Sequence, residues 1–191
     1  MSYSTICLYV VLLCLYSSAV KGQTRVIQNT NSSINISYPS EHYNETLDGR
    51  LILLIAQDIT EAEPRFQLRD DAKTCQGFGM DVEGWTPGSS LAYDTHAYGY
   101  PMATLSDLPS GTYYIQALFH KYETFTRADG HVVKLPMDRG EGQKWNRAPG
   151  NLYSTPQQIT IRQGETPTID LNLENIIPVI ESPKDLSLIH I

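Results

Sequence analysis

The residues best suited to chemistry are few and scattered. Asp81 and Glu83 stand two apart, so on a strand they would share one face. Paired carboxylates can hold Ca²⁺ or exchange protons with a substrate. The surrounding string, GMDVEGW, lacks the spacing of oxygen ligands that a dedicated Ca²⁺ loop uses, so a solvated pair is the simpler reading. The histidines at 42, 96, 120, 131 and 190 include no HExxH motif and no close ligand spacing. A zinc site from His96, His120 and His131 would have to be assembled by the fold alone. No Gly-x-Ser-x-Gly elbow occurs: the nearest string, Pro87-Gly88-Ser89-Ser90, lacks the second glycine and a strand-to-helix setting. No catalytic residue, metal-ligand set or cofactor is therefore expected on this chain.

Aromatic side chains are better candidates for function. Trp85, Tyr93, Tyr98, Tyr100, Trp145 and Tyr153 fall in two long stretches, 75–109 and 136–156, that read as irregular. Such rings plug the ends of a small fold, dock onto a second domain, or stack on sugars. MDRGEGQKWNR adds Arg139, Lys144, Asn146 and Arg147 around Trp145. Trp85, Tyr98, Tyr100, Arg139, Lys144, Trp145, Arg147 and Tyr153 are the residues expected to contact another domain or a ligand. The formal charge of −7 argues against a nucleic-acid or anionic-membrane partner, since both need a basic face.

Ile6 to Val20 is an apolar run of signal-peptide length, too short for the roughly 20 residues of a spanning helix. Cleavage is expected after Gly22, with Ala19 as runner-up and an uncleaved anchor as the remaining alternative. Secretion follows, with no membrane partner after cleavage. Taking 22 residues from 191 leaves 169, and losing Lys21 moves the charge from −7 to −8. Cys7 and Cys14 leave too, so Cys75 can form no internal disulfide; it reads as a buried small residue or as half of a bridge to a partner. Three sequons follow at Asn31, Asn35 and Asn44, none with Pro in the middle, so a glycan on at least one is expected in a eukaryotic host.

The elements that must position these residues read as strands. Residues 23–48 are a polar leader, and LILLIA (51–56) is a buried strand. TYYIQALFHKYETF alternates Tyr113, Ile115, Ala117 and Phe119 with Tyr114, Gln116 and Leu118. Asp129-Gly130 then turns the chain into HVVKL as a hairpin. Ile159 and Ile161, then Ile169, Leu171 and Leu173, alternate with polar residues around Gln163-Gly164-Glu165, which suggests a second hairpin. Phe66–Leu68 and Ser90–Tyr93 are weaker strands. No twelve residues keep a helical period. The fold expected is an all-β antiparallel sandwich of immunoglobulin-like size with long loops, over 49–175, then a linker from 176 to 191.

Several strings resemble a known family. Glu63-Pro64-Arg65-Phe66-Gln67, Gly79 to Trp85, Tyr98-Gly99-Tyr100-Pro101 and above all residues 108–154 resemble secreted esterases in which a β-sandwich module precedes an α/β-hydrolase domain. The resemblance covers about residues 49–180 and implies an accessory role: packing on the hydrolase domain and shaping its substrate entrance. It carries over no catalytic residue, because no position here matches one. Ser187–Ile191, SLIHI, reads as foreign to the coding sequence, which is expected to diverge near Asp185, leaving a fragment. The alternatives are a free-standing carbohydrate-binding module, an adhesion module and a metal-dependent hydrolase.

Overall fold

A computed structural model describes residues 33–138, 140–165 and 167–180. The signal segment, Asn31, Arg139 and the SLIHI tail lie outside them. In chain order the strands are β1 (Ile34–Ser37), β2 (Leu47–Ala56), β3 (Gln76–Trp85), β4 (Leu91–Ala92), β5 (Gly99–Tyr100), β6 (Gly111–Lys121), β7 (Glu123–Thr126), β8 (Val132–Leu135), β9 (Leu152–Tyr153), β10 (Gln157–Ile161), β11 (Ile169–Asn172) and β12 (Asn175–Ile176). No α-helix occurs among the described residues, and hence none long and apolar enough to cross a membrane.

The fold is an all-β sandwich. LILLIA explains its centre: Leu51, Leu53 and Ile55 face the main core, while Leu54 and Ala56 face a smaller apolar cluster on the other side. A strand covered on both faces reads as continuously apolar. β2 lies between β3 and β6, antiparallel to both, with Leu53 opposite Phe78 on one side and Ala117 on the other. β5 closes the sheet beyond β3. β9 and β10 run along the far edge of β6, and β12 pairs with β9. Between β9 and β10, Ser154 keeps the connection, its amide donating to the Ala117 carbonyl and its Oγ accepting from the Ala117 amide.

The second sheet has the order β11-β1-β4. Its inward residues Ile34, Ile36 and Leu171 meet Leu51, Leu53 and Phe119 of the large sheet in one core. β1 lies inside the segment expected to be leader: Ile34, Ile36 and Tyr38 alternate with polar residues, and all three are buried. Residues 34–48 thus belong to the sandwich.

The Asp129-Gly130 hairpin forms between β7 and β8. Its loop is longer than a two-residue turn: the Gly130 amide donates to Arg127 O, Gly130 has φ +84°, and the Arg127 amide donates to His131 O. A three-residue loop with a left-handed glycine at its end produces this pattern.

Three further expectations change. The strands around Gly164 are not partners: β10 pairs with β6 in the large sheet, and β11 pairs with β1 in the small one. The chain crosses between the sheets there, with Ile159, Ile161, Leu171 and Leu173 all facing the shared core. The stretch 75–109 contains β3, a ten-residue strand masked in the sequence by Gly77, Gly79 and Gly84. Phe66–Leu68 is no strand, because Pro64 opens a short 3-10 turn over Pro64–Phe66.

Candidate functional site

Trp145 and Asn146 of MDRGEGQKWNR are held on the outer face of the large sheet by a polar network that begins on β6. Gln116 points outward from that sheet yet is fully buried. Its Oε1 accepts the Arg65 amide at 3.0 Å; its Nε2 donates to Glu63 Oε2 at 3.0 Å and to the Ser154 carbonyl at 2.8 Å. Arg65 donates Nε to the same Glu63 oxygen at 2.9 Å and an NH1 proton to Asn146 O at 3.1 Å, while Asn146 Nδ2 donates back to Arg65 O at 3.0 Å. The guanidinium lies between two rings, 4.2 Å from the Phe66 centroid and 4.0 Å from that of Tyr153. Buried charge is tolerated where it is paired and hydrogen-bonded, and this one is. Burial works to raise the pKa of Glu63, but the bonds from Gln116 and Arg65 outweigh it and hold the carboxyl below its ordinary value.

Asn151 completes the clamp, donating to Trp145 O at 2.7 Å and accepting the Lys121 amide at 2.9 Å. Trp145 and Tyr153 pack on Leu54, Ala56, Cys75 and Leu118. These two predicted contact residues therefore seal the sheet's outer face. Burial pushes the Cys75 thiol up to about 12, so at neutral pH it is an inert thiol.

Trp85 is also internal, only 4 % exposed, in edge-to-face contact with Tyr38 and Phe119 at 4.8 and 5.4 Å between centroids. It is part of the core and presents no contact surface. Lys144 and Arg147 are exposed, with Arg147 5.6 Å from the Phe66 ring. Tyr98 and Tyr100 stand on the opposite edge strand and are 76 % and 49 % exposed. The eight expected contact residues thus divide: Lys144 and Arg147 on one loop, Tyr98 and Tyr100 on β5 and the residue before it, Trp145 and Tyr153 as the outer seal, Trp85 in the core, and Arg139 outside the description.

Beside the clamped loop a cleft of about 530 Å³ opens between Tyr43, His120, Lys121, Met137, Asp138 and Val179. The Lys121 ammonium lies 4.1 Å over the Tyr43 ring and 3.4 Å from the Glu45 carboxylate. Burial lowers the pKa of His120 despite the opposing charge of Glu141, so its imidazole is neutral at pH 7. Among the described residues the cleft lining contains no serine, threonine or cysteine. Met137 and Val179 of this lining are exposed, Val179 to 76 %, and Val179 with the exposed Ile180 also borders a recess lined by Lys144 and Arg147.

The carboxylate pair is engaged in separate ion pairs: Asp81 with Arg50 at 2.7 Å, Glu83 with Lys134 at 3.6 Å. His96 sits in an exposed turn, His120 on β6 and His131 at the hairpin tip beside Asp129. No group of three or more His, Cys, Asp or Glu able to hold a metal occurs among the described residues. Of the sequons, Asn44 is exposed in a bend, whereas Asn35 lies on β1 and donates its side-chain amide to Asp170 at 2.9 Å.

Sequence reasoning missed Glu63, Arg65, Gln116, Asn151 and Ser154 as the groups that position the loop. One signal was available: a glutamine on a strand face otherwise carrying tyrosine and leucine. Comparison with known proteins finds no matching family model, no matching curated protein and no matching solved structure.

Proposed function

We propose that this sandwich is the secreted, non-catalytic accessory module of an esterase, and that it docks on an α/β-hydrolase domain. The observation that supports the reading is the exposed apolar group Met137, Val179 and Ile180, of which Val179 and Ile180 line one recess with the cations of Lys144 and Arg147. Exposed apolar side chains gathered beside a rigid loop and rimmed by charge have the composition of an interdomain surface. The Gln116–Arg65 clamp anchors that loop at Trp145 and Asn146, which lowers the ordering entropy lost on docking.

The reading is tested at the transcript. The frame is expected to continue past the Asp185 codon into a Gly-x-Ser-x-Gly motif within an α/β-hydrolase sequence; an authentic stop codon there overturns it. Purified 23–191 chain is expected to leave p-nitrophenyl acetate and butyrate unhydrolysed above the buffer rate, and steady turnover by the pure protein would overturn the non-catalytic assignment.

A further inference from the structure

The outer face of the large sheet at its β5 edge carries a feature that docking at the 136–151 loop does not use. Tyr98 and Tyr100 alternate on that face, so their side chains emerge about 6.7 Å apart. The Tyr98 carbonyl accepts the Gly79 amide, and Tyr100 is paired with Gly77 in register. An aromatic ring beside a cross-strand glycine often lies over it, which would make both rings packing elements. Here the glycines are covered by other groups. A Cβ at Gly79 would lie 2.7 Å from Arg50 Nε, and one at Gly77 would lie 3.2 Å from both Leu68 methyls. The tyrosine rings stand clear, and neither hydroxyl has a hydrogen-bond partner among the described residues.

The strand is built to present them. A Cβ at Gly99 would lie 2.2 Å from the Phe78 ring, so the backbone between the tyrosines is pressed onto the core. The Gly99 amide is spent on Ala103 O, and Pro101 offers no N–H. The edge is therefore blunted against an added β-strand, which leaves the rings as the means of recognition. Beside them Arg50 donates to Asp81 at 2.7 Å and to Gly79 O at 3.3 Å, a charge pair with no net sign.

We propose that Tyr98 and Tyr100 form a stacking surface for an extended, uncharged β-1,4-linked polysaccharide, with Arg50 and Asp81 bonding hydroxyls at its side. The C–H faces of pyranose rings carry slight positive charge and stack on the negative face of an aromatic ring. Two rings in line along a strand suit a ribbon-like chain. The balanced Arg50–Asp81 pair supplies a donor and an acceptor for neighbouring hydroxyls and gives no preference to a polyanion. The site is independent of the docking reading and would serve an esterase by holding a polymeric substrate near it.

The test is retention of the full secreted chain on microcrystalline cellulose and on insoluble xylan. Retention on at least one is expected, falling at least tenfold in Tyr98→Ala/Tyr100→Ala. Because both side chains are exposed, the double variant should keep the thermal midpoint of the parent, and Arg50→Gln should weaken retention less than the tyrosine pair does. No retention on either polymer overturns the proposal. So does retention unchanged in the double variant.

Discussion

Replacing Gln116 with leucine isolates the clamp that sets the outer loops. Leucine has nearly the bulk of glutamine, so the cavity term is small and the loss is polar. The Ser154 carbonyl and the Arg65 amide lose their partner, and Glu63 loses one of two side-chain donors. A buried group left without its hydrogen bond costs about 1–3 kcal/mol. With the Arg65 amide only partly buried, Gln116→Leu should lower stability by about 2–4 kcal/mol. At a urea dependence of about 2 kcal/mol/M, the unfolding midpoint should fall by about 1–2 M. The loop should also loosen locally, so trypsin should cut after Lys144 and Arg147 faster in the variant under native conditions. The pH dependence adds a third readout. The folded pKa of Glu63 is held below its unfolded value, so its stabilising contribution is present above about pH 4.3 and is lost as pH falls through the folded pKa. Without Gln116 that contribution shrinks, and the gap between parent and variant should narrow in acid. A midpoint within about 0.3 M of the parent, roughly half a kcal/mol, together with unchanged tryptic cleavage, would refute the claim that this network holds the loops.

Trp85→Ala should destabilise the fold by about 3–5 kcal/mol, the range for deleting a large buried aromatic, and should alter the Tyr38 and Phe119 environments in near-ultraviolet dichroism; a shift under 1 kcal/mol would place the indole outside the core. His120 is neutral in the folded state while an unfolded histidine titrates near 6.5. Stability should therefore decline as pH falls from about 6.5 toward 5, because the unfolded chain takes up the proton first. His120→Gln should flatten that part of the stability curve, and an unchanged slope would remove His120 as its source.

Much of the architecture could be read from residue order. Strand period two is a local property, so Tyr113, Ile115, Ala117 and Phe119 declared an inward face before any partner was known. The same logic located β8, β10 and β11, but it read β6 and β7 as one strand, whereas they lie in different sheets. It failed at β3, where three glycines erased the alternation, and at β1, where only two isoleucines stood in a run of Asn and Ser. The candidate site was less legible. Lys144 and Arg147 are exposed, but Trp145 and Tyr153 turned inward, because an aromatic in an irregular segment carries no sign of which surface it will cover.

The sequence by itself determined which face of each strand is apolar, where the chain turns and that helices have no place among these elements. Tertiary structure alone decided the partners. Every backbone offers the same hydrogen-bonding groups, so nothing in β10 or β11 forbade pairing with each other; the space between two sheets, filled by Ile159, Ile161, Leu171 and Leu173 together, made the crossing better than the hairpin. Gln116 shows the same division. Its position on the strand fixed it on the outer face, and outer ordinarily means wet. Only the arrival of Pro64–Phe66 and of Trp145 to Ser154 from distant parts of the chain made that face dry and turned a surface glutamine into the anchor of two loops.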